Sequence, residues 1–525
     1  MATDTWWAST ILTVVPLTAD HHPMRILHVT HELPPYELAG TAIYSLNIAR
    51  AQSQHHDVFI FARLQDPEIE AYRQSTELRD GCTIKFVNIA DIAWTPFEDS
   101  YVAPKAERIF RDFVDEVRPD IIHFQHIVGL GAGTLDAVRE LGIKTLFTLH
   151  DFWTMCPMGQ RMCYTDNVIC DPIDFGKCGP CVFGDGWQGL QGTETRDTGA
   201  EDVAEPKASG RGFSAYYGRR YAETPGRFAR RPRAMVRAAQ QTLRDLFSKK
   251  ADDDGSLPFT ESPFEHRFNV LREKLHQVDL LITPSAFLRD EFITHFSLSP
   301  TQIIHSANGM DFGYVKSLPK TPSDRLRFGF TGSIIPTKGV RVLVDGFIEA
   351  AKEHDDIALE VYGAPNRWTQ SFLDELQAVA DSSPCSDRIT FHGRFDNKRV
   401  GEVLADMDVL VLPSIWFENA PLTLNEAAMT RTPVIVSDRG GMLEFARANN
   451  YGRTFELGNA HSLAEVMKEL ASDRSLVEGL AGNPPPIKSV ARNAEELISV
   501  YQHLLGDSYV APTLDEQTRT RGGCV

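Results

Sequence analysis

Short apolar runs alternate with amphipathic stretches along most of this chain. From Met24 to about His150 the runs predict strands at Ile26–Thr30, Val58–Ala62, Thr83–Val87, Ile121–Phe124 and Thr145–Leu149. The stretches Ala42–Ala51, Ala106–Val117 and Leu135–Leu141 between them space their apolar positions as helices do. Strands alternating with helices call for βα units and a mostly parallel sheet covered on both faces. A second series starts near Leu326, with strands at Arg327–Thr331, Ala358–Tyr362, Ile389–His392, Val409–Pro413 and Val434–Ser437. Its helices begin after Lys338, Trp368, Asn397, Pro421 and Gly441. The expectation is α/β architecture with two doubly wound, Rossmann-like domains facing across a cleft. Ligands of such sheets sit at the carboxyl ends of the strands, so the cleft is the natural site.

Composition narrows the partners. At 525 residues the chain suits two cored domains plus irregular segments, and Lys plus Arg at 53 against Asp plus Glu at 71 leaves a net charge of −18. So acidic a chain makes a poor binder of polyanions, and nucleic acid is not an expected partner. No run of about 20 apolar residues occurs to span a membrane. The apolar stretch at 5–17 lacks a preceding basic region and a clear cleavage site, so 1–23 reads as an extension and the expected location is cytoplasmic. Periodicity fails over 185–262, which reads as an insertion. Within it Arg211–Lys250 carries eleven Lys or Arg against Glu223 and Asp245. That segment reads either as a solvated insertion or as a peripheral contact with an anionic membrane surface. Residues 506–525 read as a tail.

Three groups carry candidate chemistry. In Trp416-Phe-Glu-Asn-Ala-Pro-Leu-Thr-Leu-Asn-Glu-Ala427, Glu418 follows a strand and Glu426 lies eight positions on, along the next helix. With Pro421 expected in the first helical turn, the amides around Asn419, Ala420, Leu422 and Thr423 form a helix N-terminus suited to an anion. The two carboxylates could accept hydrogen bonds from sugar or ribose hydroxyls; the bland alternative is a pair of ordinary helix carboxylates. In Phe330-Thr-Gly-Ser-Ile-Ile-Pro-Thr-Lys338-Gly339, a Lys at the head of a helix can set an ammonium against phosphate, although the spacing is not that of a Walker loop. Cys156, Cys170, Cys178 and Cys181, with one C-x2-C hook, have spacing compatible with tetrahedral structural zinc, free or redox-labile thiols being the other reading. Asp406 and Asp408 mimic a metal-binding D-x-D, but Asp408 leads straight into a strand and reads as structural. His123 and His126 read as packing or cleft-lining residues.

Together the Lys-Gly loop and the Glu-x7-Glu motif resemble a retaining, nucleotide-sugar-dependent glycosyltransferase of family 4, with the GT-B fold. The resemblance covers most of 24–505 outside the insertion. It is supported by Arg25-Ile-Leu-His-Val-Thr, Pro34-Pro-Tyr-Glu-Leu-Ala-Gly40, Phe147-Thr-Leu-His-Asp151, Ile282-Thr-Pro-Ser-Ala-Phe287, Asn308-Gly-Met-Asp311 and Gly440-Gly-Met-Leu-Glu444. It implies that Glu426 holds the donor ribose, Glu418 the hydroxyls of the transferred sugar, and Lys338 with the amides of Leu422 and Thr423 the diphosphate. It implies close backbone approach at Gly40 and a His150 that faces the donor sugar, the alternative for His150 being a cap on the following turn. The family commonly has Arg where Ser333 stands and a Gly pair where Ala39-Gly40 stands, which puts one phosphate contact in doubt.

The resulting expectation is a metal-independent hexosyltransferase moving a hexose from UDP- or GDP-sugar, with retention, to a glycan or lipid-linked glycan in polysaccharide or glycoconjugate biosynthesis. No cofactor is required beyond the nucleotide-sugar substrate. Residues 24–310 would form the acceptor side, including the cysteine segment 156–181, and 311–488 the donor-nucleotide domain. A helix within 489–505 would pack back on the first domain. The alternatives are a GT-B sugar synthase or phosphorylase, and a non-catalytic glycan-binding scaffold.

Overall fold

The computed structural model describes residues 23–37, 40–90, 97–165, 167–183, 262–366 and 369–506. The extension, most of the insertion with its basic Arg211–Lys250 segment, Ala39, Trp368 and the tail beyond Gly506 lie outside the described residues.

The first sheet contains β1 (Arg25–Thr30), β2 (Asp57–Leu64), β3 (Gln74–Arg79), β4 (Cys82–Asn88), β5 (Ile121–Phe124), β6 (Lys144–Thr148), β9 (Leu280–Thr283) and β10 (Ile303–His305). A two-stranded hairpin of β7 (Met162–Cys163) and β8 (Val168–Ile169) stands apart. The strand order is β10-β9-β6-β5-β1-β2-β4-β3, parallel except at the β3–β4 edge. The sequence reading passed over β3 because its side chains are polar and mostly exposed, an edge without the apolar signal of a buried strand. It also passed over β9 and β10, which are short.

The second sheet contains β11 (Leu326–Thr331), β12 (Ile357–Tyr362), β13 (Ile389–Gly393), β14 (Val409–Leu412), β15 (Val434–Ser437) and β16 (Gly452–Phe455), in the order β13-β12-β11-β14-β15-β16. All its pairings are parallel. Strand order reverses between β11 and β14, so the loops that leave their carboxyl ends diverge and open a crevice. In the first sheet the corresponding reversal lies between β1 and β5.

Each sheet is covered on both faces. On one face of the first, Phe110, Phe113, Leu271 and Phe292 pack over Leu27, Phe124 and Phe147. The other face is closed partly by the last described helix, Val490–Leu505, whose Leu497, Ile498 and Tyr501 pack against Ile26, Val58 and Ile121. That helix begins beside the chain crossing, where Met310 bridges Ser489.

Candidate functional site

Two loops from the crevice of the second sheet meet at its carboxyl edge. After β11 the chain makes a single 3-10 turn, Pro336–Lys338, and the α-helix Val340–Ala350 starts beyond Gly339. Lys338 therefore ends the turn rather than heading the α-helix. Gly339 has φ +67°, and a Cβ there would come within 1.8 Å of the Pro413 carbonyl oxygen. Only a residue without a side chain lets the two loops touch, and the touch brings Lys338 Nζ to 2.5 Å from Glu418 Oε1.

Glu418 is buried, and its Oε1 also accepts hydrogen bonds from Ser414 Oγ at 2.9 Å and Trp416 Nε1 at 3.1 Å. Three donors thus converge on one carboxylate oxygen. The loop rests on Gly440 and Gly441: the Gly441 amide donates to the Glu418 carbonyl at 2.8 Å, and a Cβ on Gly441 would lie 1.7 Å from the Asn419 carbonyl oxygen. The helix beneath begins at Gly440, one residue before Gly441, not after it as expected.

Pro421 stands just outside the following helix, Leu422–Met429, as its N-cap residue rather than in its first turn. A proline cap offers no side-chain acceptor, so the amides of Leu422 and Thr423 remain open at the positive end of the helix. Ala420 lies in the loop just ahead of them. One turn in, Glu426 is buried, and Tyr314 OH donates to its Oε1 at 2.8 Å. Burial raises the Glu426 carboxyl above its ordinary range. Ser333 is exposed after β11, and no cation takes its place in the hydrogen bonds described there. Asp408 receives Arg327 at 2.9 Å and is a strand-start residue, as its position suggested.

The first domain supplies the opposite wall. Gly40 opens the helix Gly40–Gln52, and a Cβ there would sit 3.8 Å from the Leu422 side chain. His150 follows β6. Its carbonyl accepts from Asn419 Nδ2 at 3.1 Å across the cleft, while Asn419 Oδ1 is buried without a partner. The His150 ring meets Tyr44 edge-on at 5.1 Å and Gln125 Oε1 at 2.9 Å. Burial pushes its pKa down to about 3. It does not cap the next turn; Asp151 does, accepting from the Trp153 amide at 2.8 Å. His126 Nε2 meets Asp151 Oδ2 at 3.3 Å, and His123 is buried behind the cleft, its ring nitrogens meeting Tyr501 OH and Thr148 Oγ1. Phe417 crosses from the second domain into the first, against Phe152 and Phe287. The Glu444 carboxylate receives the Ala286 and Phe287 amides of the first domain at 3.2 and 3.0 Å.

Cys156, Cys170, Cys178 and Cys181 gather in a small separate core with Met158, Val182 and Phe264. The Tyr164 amide donates to Cys181 Sγ at 3.4 Å, and burial raises the Cys178 and Cys181 thiols. Among the described residues the trio whose ligand atoms all lie within 4.8 Å of one another is Glu349, His461 and Glu465. The sulfurs are close but not drawn together as ligands of one ion. Beside this lobe a pocket opens between β8 and the second domain, lined by Ile169, Asp171, Glu291, Ile415, Phe417 and Arg439.

The site thus combines Lys338, Glu418, Glu426, Asn419, the Leu422 and Thr423 amides, Gly40 and His150 around one cleft. Sequence reasoning missed Ser414, Trp416, Tyr314 and Gln125. Trp416 opens the quoted motif and Ser414 stands two positions before it, but the motif gives neither a role; Tyr314 and Gln125 arrive from other loops and left no local signal.

The profile of Glycosyl transferases group 1 matches residues 317–483, and that of Glycosyltransferase Family 4 matches residues 38–167. A putative glycosyltransferase, YtcC of Bacillus subtilis (strain 168), is 24% identical over 260 residues, 45% of this chain and 62% of the relative. The lipopolysaccharide core biosynthesis mannosyltransferase LpcC of Rhizobium leguminosarum bv. viciae is 26% identical over 184 residues, 34% of this chain and 51% of the relative. The matches thus span about half to three fifths of those relatives' own lengths. Among solved structures, Anabaena Alr3699/HepE in complex with UDP and glucose aligns with 92% of this chain and 98% of its own, at 12% identity and a TM-score of 0.51. Sucrose-phosphate synthase from Thermosynechococcus elongatus aligns with 92% of this chain and 96% of its own, at 15% identity and a TM-score of 0.53. At such identities the likeness is one of fold, and that fold is GT-B. With both halves matched by family profiles and laid out in that architecture, the chain belongs to the family 4-like glycosyltransferases.

Proposed function

We propose that the chain transfers a hexose from a UDP- or GDP-sugar, with retention, to a glycan or lipid-linked glycan acceptor. The observation that carries the reading is the meeting of Lys338 with Glu418 at 2.5 Å beside an uncapped helix N-terminus, with Glu426 buried one turn in. Glu426 keeps one oxygen for ribose hydroxyls while Tyr314 holds the other. Glu418 offers its second oxygen to the sugar. Lys338 turns from Glu418 to the diphosphate as it departs, and the Leu422 and Thr423 amides share that charge. These groups stabilise a leaving diphosphate without a metal ion. The leaving phosphate then takes the proton of the acceptor hydroxyl on the same face of the sugar. Alr3699/HepE, similar in fold, is described with UDP, glucose and UDP-glucose, which fits a uridine donor. The acceptor would enter from the first domain, past the pocket between β8 and Phe417. Among the described residues no helix is long and apolar enough to cross a membrane. The reading places the chain in the cytoplasm, with Arg211–Lys250 either a solvated insertion or a peripheral contact with an anionic membrane surface.

The decisive experiment is a thermal-shift screen with UDP, GDP, ADP and their common sugars. A nucleotide at 100 times its dissociation constant should stabilise by about 2.7 kcal/mol. One base should shift the melting temperature, and Lys338→Ala should abolish that shift. Silence with every nucleotide would overturn the donor reading. The same reading assigns the cysteine lobe one structural zinc, which would draw together four sulfurs that share one small core. Metal analysis should find about one zinc per chain, and EDTA alone should lower the melting temperature. A metal-free chain that melts unchanged in EDTA overturns that part.

A further inference from the structure

Beneath His150 a chain of hydrogen bonds runs through the buried interior of the first domain. His150 Nε2 meets Gln125 Oε1 at 2.9 Å, and Gln125 Nε2 meets His28 Nδ1 at 3.4 Å. His28 Nε2 meets Gln52 Oε1 at 2.7 Å, and Gln52 Nε2 meets Tyr501 OH at 3.3 Å. Tyr501 OH meets His123 Nδ1 at 2.6 Å, and His123 Nε2 meets Thr148 Oγ1 at 2.7 Å. His28, Gln52, His123, Gln125, Thr148 and Tyr501 are all buried.

The direction of every bond follows from chemistry. An amide oxygen only accepts, so His150 must donate from Nε2. An amide nitrogen only donates, so His28 must accept at Nδ1; a neutral His28 then carries its proton on Nε2 and gives it to Gln52 Oε1. Gln52 donates in turn to the Tyr501 oxygen. Among the described residues the acceptor in reach of the Tyr501 proton is His123 Nδ1, which puts the His123 proton on Nε2, facing Thr148. All three imidazoles take the same tautomer, and every donor points away from the cleft. The Nδ1 of His150 has no hydrogen-bond partner among the described residues.

We propose that Gln125, His28, Gln52 and Tyr501 are positioning residues that hold His150 as its Nε2–H tautomer, presenting the Nδ1 lone pair to the cleft. Tyr501 belongs to the helix Val490–Leu505, which starts beside the crossing between domains. Seating of that helix and the state of the cleft histidine therefore form one cooperative unit. Because burial holds His28 near a pKa of about 4 and His150 near about 3, the chain stays neutral across the physiological range. The groups around His150 that could oppose this are His31, His126, His123 and Asp151; of these Asp151 is ionised and engaged by His126. If the cleft binds a sugar donor, a role that rests on the proposed function, His150 accepts a hydrogen bond from a sugar hydroxyl and gives no proton.

The test is nitrogen-15 NMR of histidine-labelled full-length chain without ligand, with His150→Asn to assign the resonance. The wild type should show His150 neutral from pH 8 to 5, with a pyrrole-type Nε2 and a pyridine-type Nδ1. Gln125→Met, of similar volume, removes the acceptor, and His150 should then show both tautomers. Tyr501→Phe, at the far end, removes one hydroxyl and frees both amides to turn, so a second His150 tautomer should appear there too. An Nδ1–H tautomer in the wild type overturns the proposal, as does an unchanged His150 spectrum in a folded Tyr501→Phe chain. Circular-dichroism melting shows that each variant is folded. If no nucleotide binds even the wild type, the donor reading fails while the spectra still decide the relay.

Discussion

A methyl group on Gly339 would overlap the Pro413 carbonyl oxygen at 1.8 Å and force a side chain into a left-handed backbone. Gly339→Ala should therefore cost at least ~1–3 kcal/mol in chemical denaturation and separate Lys338 from Glu418; an unchanged midpoint would contradict the contact between the two loops. Glu426 is the opposite case, a residue kept at a cost. Burial raises its carboxyl in the folded state, so the native chain binds the proton more tightly than the unfolded chain does. Stability from this group is thus fully present below its unfolded value of 4.5 and is lost as pH rises through the raised folded value. Glu426→Gln should accordingly be more stable than wild type at pH 7.5 and equal to it near pH 4, while losing nucleotide affinity. A variant no more stable at pH 7.5 would mean that the carboxylate is not strained by burial. At this scale the sequence displayed Glu418, Glu426 and Lys338 because each stands in a local pattern. Tyr314 and Gln125 stayed hidden because their roles come from loops distant in sequence but adjacent in space.

Elements were legible wherever burial writes a pattern. The strands β1, β5, β11 and β15 are buried along nearly their whole length and appear as short, mostly apolar runs, so their positions could be read within a residue or so. Ends were harder: Pro421 caps its helix from outside, and the helix holding Gly441 starts two residues early, because both ends are set by the loop packed on them. The helix Val490–Leu505 depends on Asn493, whose Oδ1 accepts from Tyr44 OH at 2.9 Å and from the Gly309 amide at 3.0 Å. Asn493→Ala leaves two buried donors unpaired and should cost about 1–3 kcal/mol each in urea unfolding. A loss below 0.5 kcal/mol would show that water replaces the carbonyl without penalty.

For the whole molecule, the buried neutral histidines set an acid limit. Folding lowers the pKa of His28 from 6.5 to about 4, so the unfolded chain takes up protons that the folded chain refuses. Stability is full above 6.5 and falls as pH drops toward 4, by about 3 kcal/mol from His28 alone. His123 and His150 shift in the same direction. Melting temperature should therefore decline steadily from pH 6.5 to 4.5; a flat curve there would mean these rings are solvated. The GT-B outline was visible in two series of strand and helix signals, but the contacts between the halves were not, since each is a single side chain crossing from one to the other. Phe417 is the clearest of these. It is the neighbour of Glu418, yet its ring is counted among the core of the opposite domain. The halves cannot separate without drawing that ring into water, at roughly 1.5–3 kcal/mol for a large apolar side chain. Each withdrawal tugs the backbone on which the Glu418 carboxylate sits, and shifts the indole of Trp416, one position before the phenylalanine. The molecule thus carries its own fluorescent gauge of opening, an indole two peptide bonds from Glu418.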